Sequence, residues 1–164
     1  MLRALVILVV LAVPTFLQAS TVKTVLSAPQ VRGEATFRFI GFPLYQARLY
    51  TTDGAPLDWN QDFAIELNYL RNLTKKDLIE STLKELDRLG HPLPLREQLS
   101  QCFDDVSKGD QYLAVSRGQD QIGFWRNGTR VCTLTHPQFK QQFMAIFVGQ
   151  NTRSKAFTRK LKGE

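Results

Sequence analysis

Hydrophobic and polar positions alternate most clearly over residues 37–50, FRFIGFPLYQARLY. The odd positions from Phe37 to Leu49 carry no charge, whereas the even positions mix arginine with large apolar residues. Because successive side chains of a strand point to opposite faces, we expect the odd face to lie on a core. The run reads as one long strand or as two strands, with a bend or bulge predicted between Gly41 and Pro43.

The same pattern predicts a sheet with several further strands. Asn-Gly between two apolar runs is a strong hairpin signal, because both turn residues need positive φ, and Asn127–Gly128 stands in that position. A weak alternation predicts a first strand at Thr21–Ser27, and Pro29 and Gly33 predict a loop over Ala28–Glu34. The other predicted strands are Phe63–Arg71, Gln111–Ser116, Ile122–Arg126 and Thr129–Leu134.

Apolar residues at helical spacing predict four helices. The clearest is Thr74–Leu89, where Thr74 and Asp77 form a capping box and Gly90 follows the end. The others are Leu95–Phe103, a helix opened by Thr135 and ended by Gly149, and a basic helix over Arg153–Gly163. Because strands and helices are segregated along the chain, we predict an α+β fold in which helices cover one face of an antiparallel sheet.

The N-terminal residues Met1–Ala19 have the form of a secretory signal peptide. Arg3 precedes an apolar run, and Pro14 and a tail ending in Ala19 follow it. We expect cleavage near Ala19–Ser20, export to the periplasm or the medium, and one domain over Ser20–Glu164.

Two cysteines, Cys102 and Cys132, remain after this cleavage. In an oxidising compartment they would be able to form a disulfide, which would stabilise the fold by about 3–4 kcal/mol. Two separate buried thiols explain them equally well. Without a CxxC pair or helping histidines they do not indicate a metal site.

Most familiar catalytic and cofactor motifs are missing from the chain. There is no GxGxxG, Walker loop, HExxH or GxSxG, so we expect no metal and no cofactor. The net charge of +6 is modest, and the basic C-terminal helix lacks the interleaved aromatics of a nucleic-acid binder. Peripheral contact of this helix with anionic lipid is one hypothesis, and a solvated helix face is the other.

Four side chains on predicted strands stand out as possible binding residues, and of these Arg71 ends its strand and is most simply solvated. Arg38 shares its face with Ile40, Phe42 and Leu44, which indicates a buried anion partner, an anionic ligand or an arginine tip that reaches water. Tyr45 and Tyr69 lie on apolar faces, where core tyrosines with bonded hydroxyls are the simplest explanation.

The order and spacing of five segments resemble the chalcone-isomerase-like proteins, in particular their small exported bacterial branch. The segments are Phe37–Tyr50, Phe63–Leu78, Lys108–Val115, Gly123–Val131 and His136–Gly163. This resemblance implies an open-faced β-sandwich with a ligand cleft between the sheet and its helices.

The resemblance also implies what such a cleft binds. Plant enzymes of this family close a flavanone ring with an early-strand arginine and other polar side chains, and other members bind fatty acids through the arginine and a tyrosine. The arginine corresponds to Arg38 here, and Tyr45 and Tyr69 are assigned with it as ligand-binding residues. Where the enzymes have a strand threonine this chain has Tyr45, and Thr74–Thr82 lacks their tyrosine and asparagine.

We therefore expect a non-catalytic domain that binds a small hydrophobic or amphipathic anion such as a fatty acid. One alternative is a cofactor-free intramolecular lyase or isomerase acting on a chalcone-like or enone substrate. Another alternative is a protein-interaction module of the cell envelope.

Overall fold

The structure, a computed structural model, describes residues 21–164. The predicted signal peptide and its cleavage site lie outside these residues. No helix in the described part of the chain has the length and apolar character needed to cross a membrane.

The strands form one six-stranded sheet that is antiparallel throughout, in the order β1-β2-β3-β4-β5-β6. Each strand therefore pairs with its neighbours in sequence. In chain order the elements are α1 (Thr21–Val25), β1 (Pro29–Phe39), β2 (Phe42–Thr52), β3 (Ala64–Tyr69), α2 (Lys75–Arg88), α3 (Arg96–Cys102), β4 (Gln111–Arg117), β5 (Gln121–Arg126), β6 (Thr129–Thr135), α4 (Phe139–Val148) and α5 (Lys155–Leu161).

Helices α2 to α5 cover one face of this sheet, which confirms the predicted α+β open-faced architecture. The odd positions of β2 lie on the covered face as predicted, and Tyr45, Ala47 and Leu49 are buried there. Phe39 is an exception at the end of β1, where its side chain is 53% exposed. The main core is therefore a single layer between the sheet and these helices.

The predicted strand at Thr21–Ser27 is wrong, because Thr21–Val25 forms the short helix α1. Val22 and Leu26 are four residues apart, so one helical turn brings both to the same side. Both are buried against the other face of the sheet, beside Trp125. A short apolar spacing of this kind fits helix and strand alike, and the contact with Trp125 favours the helix.

The predicted loop at Ala28–Glu34 is also wrong, because β1 begins at Pro29. Gly33 belongs to this strand and allows α5 to approach it closely. A β-carbon on Gly33 would lie 2.5 Å from the carbonyl oxygen of Lys160. Glycine within a strand often marks a place where another backbone approaches closely, and at Gly33 that backbone is α5.

The hairpin and the main helix form where local signals place them. Thr74 and Asp77 make both bonds of the capping box at the start of α2. Asn127 and Gly128, both at positive φ, form the two-residue loop between β5 and β6. The helix expected to open at Thr135 begins later, at Phe139, because Thr135 still pairs with Gln121 in the sheet.

Cys102 and Cys132 form a disulfide whose Cα atoms are 5.3 Å apart. It joins the end of α3 to β6, so the helical layer is covalently attached to an edge strand of the sheet. Of the two explanations that the sequence left open, the structure has the bonded pair.

Candidate functional site

A cavity of about 600 Å³ lies between the covered face of the sheet and helices α2 and α4. Its size is in the range of about 300–1,000 Å³ that is typical of small-molecule sites. Most of its wall is hydrocarbon. The apolar lining includes Leu44, Ile65 and Ala114 from the strands, and Leu78, Phe143 and Phe147 from the helices.

Two buried tyrosines contribute polar atoms to this apolar wall. Tyr45 and Tyr69 are directly opposite each other on β2 and β3, with ring centroids 6.2 Å apart, and both line the cavity. Burial raises the pKa of both phenols above the usual value, so they are neutral O–H donors at neutral pH.

A buried carboxylate lies at the same end of the cavity. Glu85 on α2 is only 2% exposed, and it accepts hydrogen bonds from Arg88 Nε and Nη2 at 3.0 and 2.8 Å. Arg153 Nε lies 3.2 Å from its other oxygen. Two guanidinium groups and one carboxylate leave this cluster with a formal charge of one positive unit, and all three side chains line the cavity.

Arg153 is held next to the tyrosines by an aromatic stack. Its Cζ lies 4.8 Å from the centroid of the Phe37 ring, and Phe37 stacks on Tyr45 at 5.2 Å. The charge of Arg153 opposes the rise in the pKa of Tyr45 that burial causes. A cation and two phenol donors therefore lie near one another in a cavity whose wall is mostly apolar.

Of the three predicted ligand-binding residues, Tyr45 and Tyr69 line the cavity and Arg38 does not. The expectation that Arg38 borders the cleft needs correction. Arg38 lies on the face of β1 opposite Ala35 and Phe37, is exposed, and donates from Nη1 to the carbonyl oxygen of Gly41 at 3.2 Å. Alternation along the strand carries its side chain away from the helices.

The three charged residues of the cluster were not among the binding residues predicted from the sequence. Glu85 could have been recognised, because it lies next to the apolar stripe of α2. A carboxylate buried there is costly without a partner, so its position predicts a nearby basic side chain. Arg88 and Arg153 could not be recognised in this way, since basic residues at a helix end and in a basic tail are normally solvated. The position of Arg153 depends on the long-range packing of α5 and its preceding loop against β1.

A second, larger groove of about 910 Å³ lies on the opposite face of the sheet, but its charges pair with one another. Arg48 lies 3.2 Å from Glu34 and 3.6 Å from Glu66, and the Tyr50 hydroxyl donates to Glu66. This groove is mostly polar, whereas the 600 Å³ cavity combines a mostly apolar wall with a cluster of charged side chains. The 600 Å³ cavity is therefore the better candidate for the site of an amphipathic ligand.

No family model and no curated protein matches this sequence. Among solved structures, the crystal structure of the Arabidopsis thaliana fatty-acid binding protein AtFAP1 is similar, with a TM-score of 0.64. The alignment covers 83% of this chain and 87% of that chain at 11% sequence identity. The fold is the chalcone-isomerase-like fold. At this identity the likeness establishes the chalcone-isomerase-like architecture and leaves function to be argued from the cavity.

Proposed function

We propose that this protein binds a small amphipathic anion, with a long-chain fatty acid as the best-fitting class, in the cavity between the sheet and α2 and α4. The observation that carries the proposal is the polarity of that cavity, which has hydrocarbon along most of its wall and Arg153, Tyr45 and Tyr69 at one end. The structural neighbour, a fatty-acid binding protein, supports the same class of ligand.

The carboxylate would accept hydrogen bonds from the Arg153 guanidinium and from one or both tyrosine hydroxyls. Charge-assisted bonds of this kind are about twice as strong as neutral ones. Arg88 keeps Glu85 paired when Arg153 turns toward the ligand, so the buried carboxylate is not left alone. The alkyl chain would lie against the remaining, mostly apolar wall of the cavity, where it would take the place of water.

We also propose that binding is not followed by a reaction. Raised pKa values make Tyr45 and Tyr69 poor proton acceptors at neutral pH, because a general base works best with a pKa near the working pH. The absence of tyrosine and asparagine from residues 74–82 supports this, since the resemblance places the enzymes' polar groups there.

Titration calorimetry with delipidated protein tests the proposed function. Hexadecanoic acid should bind with one-to-one stoichiometry, and hexadecan-1-ol should bind about tenfold or more weakly, because the alcohol lacks the charge that Arg153 recognises. Equal affinities for the acid and the alcohol would contradict carboxylate recognition. No binding of either would contradict the proposed ligand class.

A substitution in the apolar wall tests where the chain lies. Ala114 is on the central strand β4, lines the cavity and is far in sequence from the charged cluster. Ala114→Leu should lower affinity by about fourfold for each methylene that it displaces, and so favour shorter acids. Calorimetry with acids of ten and sixteen carbons measures this change. If Ala114→Leu leaves the relative affinities for the two acids unchanged, the alkyl chain does not lie against Ala114.

We further propose that the protein is exported. The signal-like sequence of Met1–Ala19 and the Cys102–Cys132 disulfide support an oxidising compartment. N-terminal sequencing of protein recovered outside the cytoplasm should begin at or near Ser20. Intact Met1 on the mature protein would contradict cleavage.

A further inference from the structure

The hairpin between β1 and β2 ends in a cluster of exposed apolar side chains. Phe39, Ile40 and Phe42 are 53%, 80% and 59% exposed, and they are three of the five large hydrophobic residues exposed within residues 21–164. Single exposed apolar residues are ordinary, but a contiguous group indicates a surface that contacts something apolar.

The backbone at this tip makes the isoleucine unexpected. Ile40 and Gly41 form a two-residue loop with φ values of 47° and 80°. The loop between β5 and β6 has nearly the same geometry, with Asn127 at 47° and Gly128 at 83°. Asparagine is favoured at the first position of such a turn, whereas a β-branched residue is strained there. Stability of the hairpin alone therefore favours asparagine at position 40.

Positive charge surrounds the tip. Arg38 donates to the carbonyl oxygen of Gly41, and the Cζ of Arg71 lies 5.1 Å from the centroid of the Phe42 ring. Residues 35–50, which include the whole loop, contain no acidic residue. Apolar side chains at a tip with arginines behind them match the boundary between acyl chains and anionic headgroups.

The tip also lies at the edge of the ligand cavity. Phe39 and Leu44, on either side of the loop, both line that cavity. Two carboxylates that line it, Asp77 and Glu80, are engaged within the fold by Thr74 and Arg96. A surface bound by the hairpin tip would therefore lie beside the cavity.

We propose that the β1–β2 hairpin tip, defined as Phe39, Ile40 and Phe42 with Arg38 and Arg71, docks the protein on an anionic phospholipid bilayer. The three apolar side chains enter the acyl boundary, and the two arginines contact lipid phosphates. Docking in itself does not depend on the proposed function. Its use for passing an amphipathic ligand between the bilayer and the cavity rests on that function.

Vesicle co-sedimentation of the full domain with Ile40→Asn tests the docking. The variant should keep or raise the thermal stability, because asparagine suits the turn. Its partition onto vesicles of phosphatidylcholine with phosphatidylglycerol should fall about tenfold or more, since one buried isoleucine is lost. Arg38→Gln and Arg71→Gln should each reduce partition about fivefold on these vesicles and less on pure phosphatidylcholine.

Two controls separate the hairpin from other surfaces. Val131→Asn changes an exposed valine on β6 and should leave vesicle binding unchanged. Arg159→Gln with Lys160→Gln removes exposed charge from α5, whose apolar residues Phe157 and Leu161 are buried. Binding that depends on α5 and is insensitive to Ile40→Asn would overturn the proposal, as would a wild-type protein that binds no vesicle. The latter result would favour a protein partner.

Calorimetry with hexadecanoic acid distinguishes failure of docking from failure of the proposed function. Ile40→Asn should bind the acid in vesicle-free solution with unchanged affinity, because Ile40 does not line the cavity. If vesicle binding requires the hairpin but the protein binds no acid, the docking proposal stands and the proposed ligand class is wrong.

Discussion

Replacing Arg153 with methionine is expected to weaken the binding of hexadecanoic acid by about 10- to 100-fold. The reason is that a hydrogen bond to a charged group contributes about 1.5–3 kcal/mol. Methionine keeps the unbranched shape and the contact with Phe37 but removes the charge. Binding of hexadecan-1-ol should change little, because the alcohol does not use that charge.

Arg38→Met is the matched control, since it removes the arginine that lies outside the cavity. It should leave the affinity for the acid in solution unchanged. Thermal unfolding checks that both variants fold, and Arg153→Met should fold because Glu85 retains two hydrogen bonds from Arg88. A loss of acid binding in Arg38→Met with normal binding in Arg153→Met would reverse the assignment of the head-group residue.

Reducing the Cys102–Cys132 disulfide is expected to lower the free energy of unfolding by about 3–4 kcal/mol, in the chain-entropy treatment of a loop of 30 residues. Cross-linking restricts the unfolded chain, so opening the bond increases its entropy. Urea unfolding of the oxidised and reduced protein measures the difference.

The double variant Cys102→Ser, Cys132→Ser should be destabilised to a similar extent and should no longer respond to reductant. That insensitivity is the control for effects of the reductant on other groups. Equal stability of the oxidised wild type and the double variant would show that the bond contributes nothing to the folded state.

The sequence predicted those parts of the fold that local chemistry determines. The capping box at Thr74 and the turn at Asn127–Gly128 require particular residues at fixed offsets, so they can be recognised without knowing the tertiary contacts. The alternation along β2 similarly identified Tyr45 as a residue of the covered face. Each of these features is specified within a few residues of chain.

Features that depend on distant contacts were not predictable in the same way. The short helix at Thr21–Val25 has too few residues for its periodicity to be decisive, and packing on Trp125 selects it. Gly33 was interpreted as a loop residue, because the contact that explains a glycine in this strand is made by α5, at the far end of the chain, and is not visible in the local sequence. Long-range contacts decided both cases.

The candidate site shows the same division. Tyr45 and Tyr69 could each be assigned to an apolar strand face from the sequence, and the register of β2 with β3 in the structure sets them opposite each other. The arginine of the site could not be identified from the sequence. The alternation of residues along the strand favoured Arg38, whereas in the structure the loop before α5 brings Arg153 over the Phe37 ring. The predicted arginine, Arg38, lies outside the cavity, and the arginine that lies beside Tyr45 comes from a different segment of the chain.

The cluster of Glu85, Arg88 and Arg153 explains how a charged group fits at the end of an apolar cavity. Glu85 is the buried member of this cluster, and Arg88 and Arg153, whose side chains are 39% and 35% exposed, offset the cost of burying its carboxylate. Since Arg88 also binds Glu85, release of Arg153 toward a ligand leaves one intact pair. The proposed preference for an anion rests on the net positive charge of this cluster.

Native mass spectrometry of the purified protein, followed by denaturing extraction, would show whether the cavity holds an amphipathic anion. We expect one small molecule bound per chain, identified after extraction as a long-chain carboxylic acid and absent from Arg153→Met prepared in the same way. An empty wild-type protein that also takes up no acid when incubated with hexadecanoate would contradict the proposal that this cavity binds an amphipathic anion.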